Sequence, residues 1–427
     1  MQQPMKGSSF NLYLLLKKEY NFNRHGVNIS HALAPQLMQI AYNIIDINKL
    51  PLIDIVRRFN KTLDVSLLKQ AFLSADNVST YVIERNDYKE LLNSYFEGTN
   101  SLAQCALPSL GYKRKFNPST IIKVLVAVLL GNRDGTFRQK IYLASYITFY
   151  LNVLDSLKAA FSDVDLRNKK YIPFNSAFDM EPLFAQFFKA HGAQTYHISH
   201  GLSYVSYYGD TPADAVNGEN ITADNILVWG ESSKNDLVNN FNRNPVGIRI
   251  TGNTKYPAKQ ISIKNTFKNG IVFLARPLYD NDNAGLIALL GEIGVRHNIK
   301  FTFKAHPSSN IEVFKKAAAD YNLMFLPKET TIRQVLELGM YDFAVAYNTT
   351  VYYEAMYYDT ICLRYGVNEN EVYHGLNDKF TNEKTFINLL EHFKAADTEA
   401  INTQITTVLT ETLGMGINEY ARIFNSK

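Results

Sequence analysis

The sequence is poor in cysteine and lacks any apolar run long enough to cross a membrane. Its 427 residues include two cysteines, Cys105 and Cys362, and one tryptophan. Two cysteines far apart in the chain argue against a disulfide framework and a cysteine-rich zinc site, and they favour a reducing compartment. The most apolar stretch, IIKVLVAVLLG at 121–131, is about half as long as a membrane-spanning helix. We expect it to form a buried strand or a core helix.

Glycine-rich phosphate loops and clustered metal ligands are also missing from the sequence. No GxGxxG follows a predicted strand and no GxxxxGK[ST] occurs, which argues against dehydrogenases and P-loop enzymes. A zinc site needs several ligands at tight spacing, and none is visible, so we expect no metal and no other cofactor. Lysines interrupt the apolar residues near the N-terminus. We therefore expect no signal peptide and a cytoplasmic location.

Charged residues are nearly balanced, with 44 Lys and Arg against 40 Asp and Glu and a formal net charge of +4. This mild excess allows contact with anionic lipid or a phosphorylated substrate and does not require nucleic acid. The chain is too long for one compact core. We expect an N-terminal domain over residues 1–233, with residues 405–427 packing back on it, and a C-terminal domain over residues 234–404.

Short apolar strands alternate with helices from about residue 170 onward. Before residue 115 the apolar residues recur mainly at helical spacing. The later strands are KYIPFN, AQTYHISHG, NILVWG, VGIRITGN, NGIVFLARP, IKFTFKAHP, LMFLP, YDFAVAYN and TICLRYG. Helical patterns between such strands predict an α/β fold with a parallel sheet. The C-terminal half is expected to be a Rossmann-like domain.

In an open parallel sheet, ligands bind beyond the carboxyl ends of the strands, and the loop KAHPSS follows one such strand. Lys304 and His306 offer N–H donors to an anion. Pro307 sets the direction in which the chain leaves the strand. Ser308 is expected to precede a helix whose first amides are unpaired. The alternative is an ordinary loop histidine beside a helix-capping serine.

Two further strand ends carry candidate ligands for phosphate. Thr349 and Thr350 stand where a helix begins, so their hydroxyls and the helix amides predict a phosphate site. Glu354 follows one turn later and is expected to bind ribose hydroxyls. Arg276 ends a third strand, and its guanidinium suits a diphosphate. The alternatives are a helix cap with a solvated glutamate and, for the arginine, a surface ion pair.

The strand end HISHG carries a candidate catalytic base. His200 stands at the tip of the strand, and side-chain alternation places His197 out of phase with it. A histidine can remove a proton from an attacking hydroxyl near neutral pH. Asp179 and Glu181 are alternative carboxylate bases. The other interpretation of His200 is a structural histidine in a turn.

Three segments together resemble the bacterial GT-B glycosyltransferases of capsule, lipopolysaccharide and teichoic-acid assembly. They are the pair His200–Gly201, the loop KAHP and the stretch NTTVYYEA, which begins at Asn348. The resembled group includes sialyl- and polysialyltransferases, capsule Kdo transferases and glycerophosphate polymerases. Two departures are a threonine pair where serines are common and the absence of the acidic tripeptide of sialyltransferases.

The resemblance implies a fold and roles for these residues. It implies two Rossmann-like domains that face a central cleft, with a C-terminal helix crossing back to the N-terminal domain. By analogy, His306 and the hydroxyl pair Thr349–Thr350 contact the phosphate of the donor, with Asn348 in the same loop. His200 takes the role of the base that is assigned to the equivalent histidine in the glycerophosphate branch.

These observations predict a glycosyltransferase that uses a CMP-, CDP- or UDP-linked sugar to build a surface polysaccharide without a metal. The C-terminal domain is expected to bind the donor, and the N-terminal domain an oligosaccharide or lipid-linked glycan. A peripheral contact with the cytoplasmic face of the inner membrane fits such an acceptor, although no strong amphipathic anchor is visible in the sequence. The alternatives are a CDP-polyol phosphotransferase, a nucleotide-sugar epimerase and an inactive scaffold of the same fold.

Overall fold

A computed structural model describes residues 8–82, 86–131, 135–202, 211–319, 321, 323–366 and 375–426. The chain divides into two compact units. The first consists of Met1–Lys255 together with Ile417–Lys427, and the second of Tyr256–Gly416. Residues 233 and 234, where the sequence suggested a domain boundary, lie inside a helix of the first unit. None of the described helices combines the length and hydropathy needed to cross a membrane.

The first unit contains ten of the described strands and most of the described helices. Its strands are β1 (Asn23–Arg24), β2 (Val27–Asn28), β3 (Lys61–Leu63), β4 (Asn77–Tyr81), β5 (Leu102–Ala106), β6 (Tyr112–Arg114), β7 (Lys170–Pro173), β8 (Gln194–Ile198), β9 (Asn225–Val228) and β10 (Ile248–Ile250). Its helices begin with α1 (Ser8–Glu19), α2 (Ile29–Ala32), α3 (Ala34–Ala41), α4 (Leu52–Arg58), α5 (Ser66–Ser74), α6 (Asn86–Tyr95), α7 (Pro118–Leu129), α8 (Phe137–Ala160), α9 (Glu181–Ala190), α10 (Val216–Glu219) and α11 (Glu231–Phe241).

Six strands of the first unit form one parallel sheet in the order β10-β9-β8-β7-β4-β5. The chain enters the sheet at β4, adds β5 on one side, and then adds β7 to β10 on the other. The direction of growth therefore reverses between β4 and β7. The prediction that residues before 115 are mainly helical was wrong for β4 and β5. Polar residues interrupt both strands (NVSTY and LAQCA) and hide the apolar run that marks a buried strand.

The second unit repeats the alternation of strands and helices. Its strands are β11 (Asn269–Phe273), β12 (Lys300–Lys304), β13 (Met324–Phe325), β14 (Phe343–Ala346), β15 (Ile361–Tyr365) and β16 (Lys379–Phe380). The remaining helices of the chain are α12 (Asp280–His297), α13 (Glu312–Ala319), α14 (Ile332–Glu337), α15 (Val351–Tyr357), α16 (Glu383–Ala395), α17 (Thr398–Leu413) and α18 (Tyr420–Asn425), the last of which belongs to the first unit.

The strands of the second unit pair in the order β13-β12-β11-β14-β15-β16, and all of these pairs are parallel. Numbered within the unit, this is the order 3-2-1-4-5-6 of the dinucleotide-binding fold. The chain adds β12 and β13 on one side of β11 and then crosses to add β14 on the other. The prediction of an α/β fold with two Rossmann-like sheets flanked by helices is confirmed.

The C-terminal helix α18 packs inside the first unit. The ring of Tyr420 stacks on Tyr95 with centroids 4.3 Å apart. The buried ammonium of Lys170 donates to the backbone carbonyls of Ile423 and Phe424 at 3.2 and 2.9 Å, and also to that of Ser426. A cation at the C-terminus of a helix satisfies carbonyls that have no partner within the helix. Lys170 therefore joins α18 to the start of β7.

Candidate functional site

The loops predicted to hold a donor follow three adjacent strands of the second unit. Phe273 of β11 pairs with Lys304 of β12 on one side and with Ala346 of β14 on the other. This row of three residues marks the carboxyl end of each strand. The segments KAHP, LARP and YNTT therefore leave the sheet at one edge, as the sequence predicts for a shared site.

The crevice between β11 and β14 is the topological switch point of this sheet, because the chain extends in opposite directions on its two sides. Ligands of open α/β sheets bind beyond the carboxyl ends of the strands at such a point. Arg276 lies in the loop after β11, and Thr349 in the loop after β14. The His306 loop follows β12, the next strand outward. The second unit thus places three of the predicted segments around one switch point.

His306 is exposed, and its ring orientation is set by Ser308. The backbone N–H of Ser308 donates to Nδ1 of His306 at 3.2 Å, and the Ser308 hydroxyl lies 2.7 Å from the same nitrogen. Because Nδ1 accepts the backbone N–H, the proton of the neutral imidazole is on Nε2. The loop therefore presents His306 as a donor through Nε2, which suits a phosphate oxygen.

The helix after the KAHP loop begins four residues after Ser308. α13 starts at Glu312, whose N–H donates to the side-chain oxygen of Asn310 at 3.1 Å. The N–H of Ser309 instead closes a turn on the carbonyl of His306 at 2.9 Å. Pro307 and Ser308 are exposed in this turn. Ser308 was expected to lie directly before the unpaired amides of a helix. It instead contacts the ring of His306.

Lys304 has a different environment from the predicted phosphate ligand. Its side chain is buried, and the ammonium donates to the carbonyls of Pro327 and Lys328 at 3.0 and 2.9 Å. Burial lowers the pKa of this ammonium from its ordinary value. Since Pro327 and Lys328 follow β13, Lys304 ties the end of β13 to the end of β12. The contacts assign Lys304 to holding the loop in place.

The loop after β14 turns sharply before α15. Asn348 adopts a left-handed backbone with φ of 46°, a region that Asn tolerates better than most residues. The hydroxyl of Thr349 accepts the N–H of Val351 at 3.4 Å, and Thr350 caps α15 without a side-chain hydrogen bond. The prediction of a helix start at the threonine pair is confirmed. Because α15 has only 7 residues, the candidate phosphate ligands of this loop are the two threonine hydroxyls rather than the dipole of the helix.

Arg276 and Glu354 lie half-buried on either side of the switch point. Arg276 precedes a short 3₁₀ turn, and its guanidinium carbon lies 6.0 Å from the ring centroid of Tyr279. Glu354 lies in the first turn of α15, where its N–H donates to the carbonyl of Thr350 at 3.4 Å. The charge of Glu354 also raises the pKa of Tyr256, second to the effect of burial.

Two residues of α12 that sequence reasoning missed hold the loops at the switch point. The buried side chain of Asn283 donates to the carbonyl of Ala275 and accepts its N–H, both at 3.0 Å. The hydroxyl of Tyr347 donates to Asp282 at 2.6 Å. One helix therefore fixes the residues that precede Arg276 on one strand and Asn348 on the other. The run DNDN at 280–283 was the available signal.

The first unit places His200 at the carboxyl end of β8, between two aromatic rings. The centroids of Tyr88 and Phe174 each lie 5.6 Å from that of His200. His200 is half-buried, whereas His197 is buried and accepts the N–H of Ser176 at 3.2 Å. Burial lowers the pKa of His197 to about 3, so this ring is neutral. As side-chain alternation along the strand predicts, the two histidines differ in exposure, with His197 buried and His200 half-buried.

Glu181 fills the switch point of the first unit, between β4 and β7. Its carboxylate accepts the hydroxyl of Thr80 at 3.0 Å and the N–H groups of Phe174 and Asn175 at 3.1 and 2.9 Å. The side chain is buried, and burial raises its pKa well above the ordinary value. A base for a substrate hydroxyl needs an accessible oxygen. The contacts of Glu181 match a structural carboxyl that joins two strand ends.

Asp179 lies in the same loop as Glu181 but has a different environment. It is half-buried and adopts a left-handed backbone with φ of 54°. Burial raises the pKa of its carboxyl, and a hydrogen bond from the backbone of Met180 opposes this change. Among the residues that the structure describes, no group of three or more His, Cys, Asp or Glu side chains is arranged to hold a metal ion.

Comparisons with protein-family models and with curated protein sequences found no match. Solved structures with a similar arrangement include a complex of TarM from S. aureus that contains UDP, at 14% identity and a TM-score of 0.40, covering 64% of this chain and 58% of TarM. UDP-GlcNAc 2-epimerase from Methanocaldococcus jannaschii is 13% identical with a TM-score of 0.45, covering 81% of this chain and 98% of the epimerase. A putative UDP-N-acetylglucosamine 2-epimerase from Listeria monocytogenes is 13% identical with a TM-score of 0.48, covering 82% of this chain and 94% of the other.

The chain spans 58% of the TarM chain, less than two thirds of its length. Identities and TM-scores this low assign neither a family nor an activity. The strand orders and loop contacts described above carry the functional argument.

Proposed function

We propose that this chain is a glycosyltransferase that takes a sugar from a nucleotide donor bound at the switch point of the second unit. The observation that supports this most directly is the location of Arg276, His306 and the threonine pair on three adjacent strand ends. A guanidinium, an N–H donor and two hydroxyls are complementary to a diphosphate. The equivalent point of the first unit is occupied by the protein's own carboxyl group, Glu181.

The same groups would assist departure of the nucleotide. When the bond between the sugar carbon and the phosphate oxygen breaks, negative charge grows on the nucleotide. Donors that are already in place stabilise such charge without reorganisation. Arg276 and His306 would fill the role that a divalent cation has in other transferases. We therefore expect turnover to continue in the presence of EDTA.

His200 is the residue we propose as the base. It would accept the proton of the acceptor hydroxyl while the hydroxyl oxygen forms the new glycosidic bond. Its position at the end of β8 and its partial exposure support this choice over Glu181. We propose an oligosaccharide or lipid-linked glycan of a surface polysaccharide as acceptor, and a cytoplasmic site of synthesis. Both rest on the resemblance of the three strand-end segments.

The activity can be tested by measuring nucleotide release with UDP-, CDP- and CMP-linked donors, with and without a glycan acceptor. A transferase releases nucleotide only when acceptor is present. An epimerase, the activity that the names of two of the similar structures state (one of them as putative), would convert its donor without acceptor. A polyol phosphotransferase would release CMP from a CDP-polyol. Conversion of the donor sugar without acceptor and without net release of nucleotide would identify an epimerase, and release from a CDP-polyol alone would identify a polyol phosphotransferase; either result would replace our proposal.

The role of His200 has its own test. We expect His200→Ala to lower turnover by about 10²–10⁴-fold, the usual contribution of a general base, while nucleotide affinity stays unchanged. His191→Ala is a matched control, because His191 is an exposed histidine at the end of α9 in the same unit. Equal turnover in both variants would remove His200 from the mechanism.

A further inference from the structure

Helix α7 carries apolar side chains on two opposite faces. Val124 and Val128 are buried on one face, where α7 packs beside α8. Ile122, Val126 and Leu130 recur every four residues on the opposite side, and they are 60%, 50% and 80% exposed. A helix that is apolar all round is normally enclosed by other elements. The expectation that residues 121–131 form a buried element was therefore wrong for the exposed face of α7.

Aromatic side chains extend this surface at both ends of the helix. Phe116 is 70% exposed shortly before α7 begins, and Phe137 is 71% exposed where α8 begins. We refer to Phe116, Ile122, Val126, Leu130 and Phe137 as the α7 surface. Isolated exposed apolar residues need no explanation, but three on one face of a helix, flanked in the sequence by two exposed aromatic rings, indicate an interaction site.

The charges that lie nearest to α7 in the sequence are mainly basic, and one of them, Lys113, is paired with Asp64 at 2.8 Å. Residues 111–131 contain Lys113, Arg114, Lys115 and Lys123 and no Asp or Glu, although the whole chain is nearly balanced. Lys123 and Arg114 are exposed, whereas Lys115 turns inward to the carbonyl of Asn152 at 3.1 Å. Apolar residues flanked by cations are complementary to a surface that is apolar inside and anionic outside.

We propose that the α7 surface docks on an anionic lipid bilayer, with α7 lying in the plane of the interface. The helix has 12 residues, so it is about 18 Å long and too short to cross the hydrocarbon core. Interfacial helices bury an apolar face at the level of the headgroups and hold Lys and Arg near anionic lipid. A strip of this length and about 10 Å wide is well below the ~800 Å² per partner of a stable protein interface.

Vesicle flotation tests the proposal on the full chain. We expect binding to vesicles of phosphatidylcholine with phosphatidylglycerol and little binding to phosphatidylcholine alone. Ile122→Glu combined with Val126→Glu should abolish flotation, because it places two carboxylates in the docked face. Lys123→Glu should weaken flotation by about fivefold or more, the contribution of one cation near anionic lipid. Added salt should weaken it further.

Val295→Glu provides a matched control, because Val295 is 72% exposed on α12 in the second unit. It should float like the wild type. Circular dichroism should show the same melting temperature for the α7 variants, since the replaced side chains face solvent. The proposal would be overturned if the α7 variants float as well as the wild type, or if the wild type does not float. A concentration-dependent dimer that these substitutions dissociate would instead identify a second copy of the chain as the occupant.

The proposal does not depend on the proposed catalytic activity. Nucleotide binding by the α7 variants is expected to equal that of the wild type. Failure of one proposal can therefore be distinguished from failure of the other.

Discussion

At the scale of single residues, Asp236 on α11 couples stability to pH. Burial raises the pKa of its carboxyl from 3.8 to about 7. The folded state therefore holds a proton that the unfolded state has released between about pH 4 and pH 7, and stability falls as the pH rises through this window. Asp236→Asn has no proton to lose. We expect the variant to be more stable than the wild type at pH 8, by at least about 1 kcal/mol.

Denaturant unfolding at pH 5 and pH 8 measures this effect. The stability difference between Asp236→Asn and the wild type should be larger at pH 8. Asp54→Asn serves as the control, because Asp54 has an exposed side chain on α4. A difference that stays constant with pH would show that Asp236 is not protonated in the folded protein at pH 5.

Sequence patterns identified strand-end residues better than they identified side-chain contacts. His306 and His200 could be placed because strand periodicity marks where a chain leaves a sheet. Lys304 lies two residues before His306 and is the last residue of β12. Its ammonium donates to the carbonyls of Pro327 and Lys328, which follow β13. Asn283 was missed because its role is a pair of hydrogen bonds to another element. Such contacts depend on tertiary neighbours that spacing does not reveal.

At the scale of elements, Lys170 determines how firmly the C-terminal helix is attached. Its buried ammonium is the cap for the last carbonyls of α18. Lys170→Met keeps most of the volume but leaves those carbonyls without a donor. An unsatisfied buried polar group costs about 1–3 kcal/mol, so we expect the free energy of unfolding to fall by about this amount. Thermal or denaturant unfolding would measure the loss.

Lys158→Met is the matched control for that experiment, because Lys158 is an exposed lysine on α8 of the same unit. It should unfold like the wild type. Equal stability of Lys170→Met and Lys158→Met would mean that the cap contributes nothing.

Most elements after residue 170 could be predicted, while β4, β5 and the exposure of α7 could not. The later strands are apolar runs bounded by helices, a pattern with few competing interpretations. β4 and β5 contain Ser, Thr, Asn and Gln side chains, which are unusual in a buried strand, and some of them make tertiary contacts. For example, Thr80 donates to Glu181. The apolar composition of α7 suggested burial, but composition does not reveal that α8 covers only one face.

At the scale of the whole molecule, two parallel sheets have different strand orders and different switch points. In the first unit the buried carboxyl of Glu181 joins the two strand ends and already accepts the backbone N–H groups of Phe174 and Asn175. In the second unit the corresponding loops carry Arg276 and the threonine pair, with His306 on the next strand. This contrast is why we assign the donor to the second unit.

Calorimetric titration with UDP, CDP and CMP tests that assignment most directly. The wild type should bind at least one of the three nucleotides. His306→Ala should weaken this binding at least about tenfold, because it removes a hydrogen bond to a charged group. His297→Ala should bind like the wild type, since His297 lies at the end of α12, before β12 begins. Wild-type affinity in His306→Ala, or no binding by the wild type, would contradict a donor site at this switch point.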